Sequence, residues 1–159
     1  MPNAADAALV TDIAHDILCE IAPDELPIFA AASRAYAAAP AAALRGLGAK
    51  DEVLGFGMDA LAAAATPVVL IVVSEVSQFL IGVAEKAVAD GLTKEISEIV
   101  RAMFKRFHRS APNVPSVLTR EHIATIHGNV LMAAQRLRLP QDRARALADA
   151  VTAQLVLKE

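Results

Sequence analysis

Between Ala60 and Phe107 the chain reads ALAAAATPVVLIVVSEVSQFLIGVAEKAVADGLTKEISEIVRAMFKRF, and nothing else in it limits the possible folds so sharply. Its opening, Ala60 to Val73, carries no charge, so this segment is apolar around its whole circumference. Such a segment is buried in a protein core or in a bilayer. A spanning helix needs about 20 predominantly apolar residues. The uncharged run from Ala60 to Ser74 is 15 residues long, contains Pro67 and ends at Glu75. That length predicts a core helix. Glu75 is nevertheless the single charge in the 25 residues from Ala60 to Ala84, which makes it the candidate gatekeeper between a core helix and a membrane-inserted one.

Beyond Ser74 the stretch becomes amphipathic. Ser74, Glu75, Gln78, Gly82, Glu85 and Ala89 fall on one side at helical spacing, with Val76, Phe79, Leu80, Val83 and Ala87 opposite. Ile96, Ile99, Val100, Met103 and Phe107 extend the stripe, so the spacing predicts a helix running to about His108. Pro67 is expected to bend or restart it, and Asp90-Gly91 is its weak point. Unbroken from Val68, it would be about 60 Å long, so bending or a break is expected in a chain of this size.

The other segments are helical as well. Leu9, Ile13, Ile17 and Ile21 recur every fourth residue, with acids on other faces, which predicts an amphipathic helix over Ala4 to Ile21. Pro23 followed by Asp24 and Glu25 reads as a second helix start, ending near Pro40, and Ala41 to Leu44 as a short further piece. Pro112 and Pro115 mark a linker over 110–118. Thr119 has the chemistry of an N-cap for a helix to about Leu137, and Pro140 opens a last helix to about Leu155. No segment alternates like a strand. The fold class is therefore all-α, a single domain over 1–159 of about six helices: a bundle around the central helix (1–109), the linker (110–118) and a terminal helical hairpin (119–159).

The run D-E-L-P-I-F, followed by A-Y and Pro40, resembles a pattern in small helical proteins of actinobacteria. That resemblance implies an all-helical fold and carries no assigned activity.

Charge is laid out unevenly. Residues 1–92 hold 12 acids and 4 bases, and residues 93–159 hold 6 acids and 11 bases. The halves are expected to attract each other within one fold, the alternative being that the basic half faces an anionic partner. Its densest part is RAMFKRFHR, where Arg101, Lys105, Arg106 and Arg109 interleave with Phe104 and Phe107. These six residues are the candidate interaction or lipid-contact site, although bases at a helix C-terminus also complement the macrodipole.

Catalytic chemistry is not expected. Gly55 and Gly57 form a G-x-G with neither a preceding strand nor a G-K-[ST]. His15 and Cys19 lack a third ligand, and His122 and His127, five apart, fall on different sides of a helix. No metal and no cofactor are expected. The single cysteine fits a reducing compartment, and MPNAADAALVTD lacks the pattern of a secretory signal, so a cytoplasmic location is expected, with membrane association as the alternative. The expected function is non-enzymatic, through contacts with a protein partner or a homo-oligomer. The alternatives are a membrane-active protein exposing its central helix to anionic lipid, and a DNA-binding regulator acting through Arg136, Arg138, Arg143 and Arg145 at the hairpin turn, nucleic acid being the weakest of these partners.

Overall fold

The computed structural model describes residues 4–38, 65–109 and 113–158. Among them are seven α-helices: α1 (Ala4–Ile21), α2 (Leu26–Ala38), α3 (Ala65–Ala89), α4 (Ile96–Ala102), α5 (Lys105–His108), α6 (Arg120–Arg136) and α7 (Gln141–Ala153), with a 3-10 turn at Pro23–Glu25. No strand occurs among the described residues. The short piece expected over Ala41 to Leu44 and the G-x-G at Gly55 and Gly57 lie outside them.

Helix α3 is the hub. It packs against α1, α2, α4 and α6, and α7 closes on α1 and α6. Val68 to Val73 are six consecutive buried residues, as an all-round apolar segment requires. From Ser74 onward Val76 and Leu80 stay buried while Glu75, Gln78, Gly82 and Glu85 are exposed, so the change to amphipathic patterning coincides with the helix reaching the surface. Phe79 is half-buried. Ser77 lies on the buried side, where its hydroxyl donates to the Val73 carbonyl at 2.9 Å; that local bond makes burial of the hydroxyl tolerable.

By length and composition α3 is also apolar enough to cross a membrane, and more than half of its most apolar 18-residue window is buried inside the fold.

The long central helix is interrupted twice. Gly91 takes φ +117°, its amide donates to Val88 and the Leu92 amide to Ala87, the paired bonds that close a helix on a left-handed residue. A second break follows Ala102. Phe104 adopts an extended conformation between α4 and α5 and forms an isolated antiparallel bridge with Leu155. The same left-handed closure ends α6, where Arg138 has φ +63°, Arg138 donates to Gln135 and Leu139 to Ala134. Pro140 then stops the chain from re-entering that helix and caps α7.

Thr119 is the N-cap of α6. Its hydroxyl accepts from the His122 amide at 3.2 Å while His122 Nδ1 accepts from the Thr119 amide at 3.1 Å, a capping box closed by histidine in place of the usual Glu or Gln.

The proline-containing segment preceding it is no free linker. Val114, Ser116 and Leu118 are buried at alternate positions, the period of an extended chain lying on a core. Residues 154–158 run beside it: Lys105 donates to Gln154, Val156 to Met103 and Lys158 to Leu118. The terminal hairpin is thereby stitched to α4 and α5.

One contact fixes where α3 begins its descent through the core. The Glu25 carboxylate, its side chain 11% exposed, accepts from the Ala65 amide, the Thr66 amide and the Thr66 hydroxyl, each at 2.8 Å. Arg143 of α7 stands 3.6 Å from the same carboxylate. A carboxylate at a helix N-terminus satisfies amides that lack a helical partner and complements the macrodipole.

Candidate interaction surface

Where α3 leaves the core it lies beside α6, and the two helices leave a groove of about 370 Å³ between them. Val72, Val76, Ile126 and Val130 form its floor, and Phe79 lies at one end. Met132 stands over it with 69% of its surface exposed, the most open large apolar side chain among the described residues. Met is flexible and polarisable, which suits a surface that adapts to another. At the rim Arg136 donates to Glu75. Both side chains are about half exposed, so this pair contributes less than about 1 kcal/mol to stability. Glu75, expected on the polar side of the helix, is there, and the solvent-facing Arg136 engages it.

The six-residue basic and aromatic cluster divides. Phe104 is fully buried and drops out as a surface contact, because the chain turns extended at this residue and aims the ring into the core beside Leu155. Arg106 binds both oxygens of Asp16 at 2.7 Å. That hydrogen-bonded carboxylate raises the guanidinium further above its already basic range. The acidic and basic parts of the chain therefore meet here, joining α5 to α1. Arg101 and Arg106 both stand over the half-buried Phe107 ring, at 5.7 and 5.8 Å from its centroid. Arg101, Lys105 and Arg109 remain exposed.

No protein-family model, curated protein or solved structure matches this chain. Geometry alone carries the functional argument.

His15 Nδ1 and Cys19 Sγ are 3.7 Å apart on the exposed face of α1, and His15 also packs edge-on to Phe29 at 5.3 Å. Among the described residues no group of three or more His, Cys, Asp or Glu side chains could hold a metal. His122 and His127 do not share a partner: His122 closes the α6 cap, and His127 Nε2 lies 2.9 Å from Asp149 on α7. Glu25, the most engaged acid among the described residues, escapes a sequence-based search, because its partners lie 40 and 41 residues away. Its place beside Pro23 at a helix start suggested only a local role.

Proposed function

We propose that this is a non-enzymatic cytoplasmic helical protein that works through protein contacts, with the α3–α6 groove as its docking face and a second copy of the chain as the occupant. The observation that carries this reading is Met132, 69% exposed above an apolar groove with an acid and a base at the rim. Such a face is self-complementary under twofold symmetry: Met132 of each copy enters the other's groove, and Glu75 and Arg136 exchange partners across the axis. Light scattering during gel filtration tests it. A dimer that forms with rising concentration and is lost in Met132→Lys is the expected result; a monomer at every concentration overturns the self-association reading.

A membrane-active role is the second reading, favoured by the length and apolarity of α3. It requires α3 to leave α1, α2, α4 and α6, and the exposed Arg101, Lys105 and Arg109 would meet anionic headgroups first. Flotation with anionic liposomes separates the two readings. Wild type remaining at the bottom, with Glu75→Leu shifting toward lipid or aggregate, supports the soluble bundle; wild type floating at all salt concentrations supports insertion. Nucleic acid binding has less behind it, because two of the four arginines around the hairpin turn, Arg136 and Arg143, face carboxylates of this chain.

A further inference from the structure

Past Phe79 the second half of α3 forms one wall of a larger groove of about 1320 Å³, closed on the other sides by the extended segment 113–117 and by residues 156–158. Its lining includes Val83, Val117 and Leu157, and Leu157 is 42% exposed.

Gly82 belongs to the same wall. A Cβ built there meets nothing within 4 Å, and the residue sits inside a regular helix. Neither a close crossing nor a left-handed backbone requires glycine here. An interior helical glycine costs about 1 kcal/mol relative to alanine. What the missing side chain provides is room in the groove.

The polar side chains at this groove are mixed: Gln78, Asn113 and Ser116 are neutral, and the fixed cations are two lysines. Lys86 and Lys158 line it, and among the described residues neither has an ion-pair partner. Two histidines have their tautomers set by the backbone. His122 Nδ1 accepts from the Thr119 amide, so the proton sits on Nε2 and is free to donate. His108 Nδ1 lies 3.0 Å from the Ala102 carbonyl and donates to it. The His122 ring also packs edge-on to Phe79 at 6.2 Å. Asp90 is the one acid in the lining. Counting the lysines and the aspartate alone, two cations against one anion leave a net charge of +1.

We propose that this groove binds a free long-chain monocarboxylate, its alkyl chain along Phe79, Val83, Val117 and Leu157 and its carboxylate held by Lys86 and Lys158. The apolar side chains within this mixed lining match an unbranched chain, and the single surplus charge matches one carboxylate. Polyanions fit poorly. The lining contains no arginine fork of the kind that grips phosphate bidentately, and its one phenyl ring is already packed by His122.

Isothermal titration of the whole chain with dodecanoate, kept below micelle-forming concentrations, tests the proposal, with dodecyltrimethylammonium as the same tail bearing the opposite charge. Saturable binding of one dodecanoate, with no saturable binding of the cation, is expected. Gly82→Leu fills the open space and should abolish binding, whereas Gly82→Ala should retain it and melt at a higher temperature. Replacing Lys86 and Lys158 together by Met should weaken binding by about tenfold or more, the loss expected when a charge-assisted hydrogen bond is removed. Equal affinity for the cation, undiminished binding by a folded Gly82→Leu variant, or association only with anionic vesicles would overturn it. The lysine replacements decide the matter if Gly82→Leu does not fold.

Discussion

Replacing Glu25 by alanine should destabilise the protein by about 2–4 kcal/mol. The carboxylate accepts three hydrogen bonds at 2.8 Å, two from backbone amides at the start of α3 and one from the Thr66 hydroxyl. Removing a helix cap costs about 0.5–2 kcal/mol, and a hydrogen bond to a charged group contributes about 1.5–3 kcal/mol. Simple addition overshoots, because water entering the vacated space re-solvates part of what is lost. Thr66 is fully buried, however, so its hydroxyl gains little from that water and the penalty stays above that of an ordinary surface cap. Glu25→Gln keeps an acceptor oxygen and loses the charge and the second acceptor, for an expected cost of about 1–2 kcal/mol. Arg143, at 3.6 Å and half exposed, should couple to Glu25 by less than about 1 kcal/mol in a double-mutant cycle. Urea unfolding followed by circular dichroism measures all three, with the midpoint falling and the slope unchanged. A cost below about 0.5 kcal/mol for Glu25→Ala, or equal costs for the Ala and Gln variants, would refute the assignment of these bonds as the anchor of α3.

Three further outcomes follow from the geometry. Arg138→Gly should stabilise by about 0.5–1 kcal/mol in the same unfolding assay, because Arg138 holds φ +63° at the end of α6 and glycine adopts that region without a Cβ penalty. Phe104→Ala should cost about 3–5 kcal/mol as a fully buried ring, whereas half-buried Phe79→Ala should cost visibly less; equal costs would contradict the packing described. The Arg106–Asp16 pair, with Arg106 41% exposed, should show a coupling of less than about 1 kcal/mol that shrinks with salt. Since the guanidinium's basicity is raised on folding, its contribution is present throughout the range below its ordinary pKa and is lost only as pH rises through the folded value. Between neutral and mildly alkaline pH the measured coupling should therefore not change on account of Arg106.

Much of this architecture was legible because it is local. The four-residue spacing of Leu9, Ile13 and Ile17, the Thr119 cap, the Pro140 restart and the turn from all-round apolar to amphipathic at Ser74 each depend on neighbours within a helical turn or two, and each is found. The placement of Phe104 was not legible. One helical phase carried from Val76 to Phe107 assumes an unbroken helix; Ile99, Val100 and Met103 past Gly91 are buried as that stripe assigns them, but the chain turns extended at Phe104 and the phase is lost there. Segment 110–118 reads as a linker because Pro112 and Pro115 exclude helix, yet an extended chain can still bury alternate residues, as Val114, Ser116 and Leu118 do. Glu25, Glu75 and Arg106 meet partners 40, 61 and 90 positions away. No periodicity records such pairings, since each depends on how separate helices are finally placed.

The stitching of residues 154–158 onto Met103, Lys105 and Leu118 bears on the order of events during synthesis. A ribosome delivers α3, the most apolar segment, well before α6, α7 and the strap that secures them. At about 5–20 residues per second, the side of α3 that α6 will cover stays open for several seconds. During that interval α1 and α2 are the available shield, and Glu25 already lies upstream, able to engage Ala65 and Thr66 as soon as they emerge. The nascent chain thus carries a clasp for its stickiest helix ahead of that helix, while completion of the core waits for the arrival of Leu155.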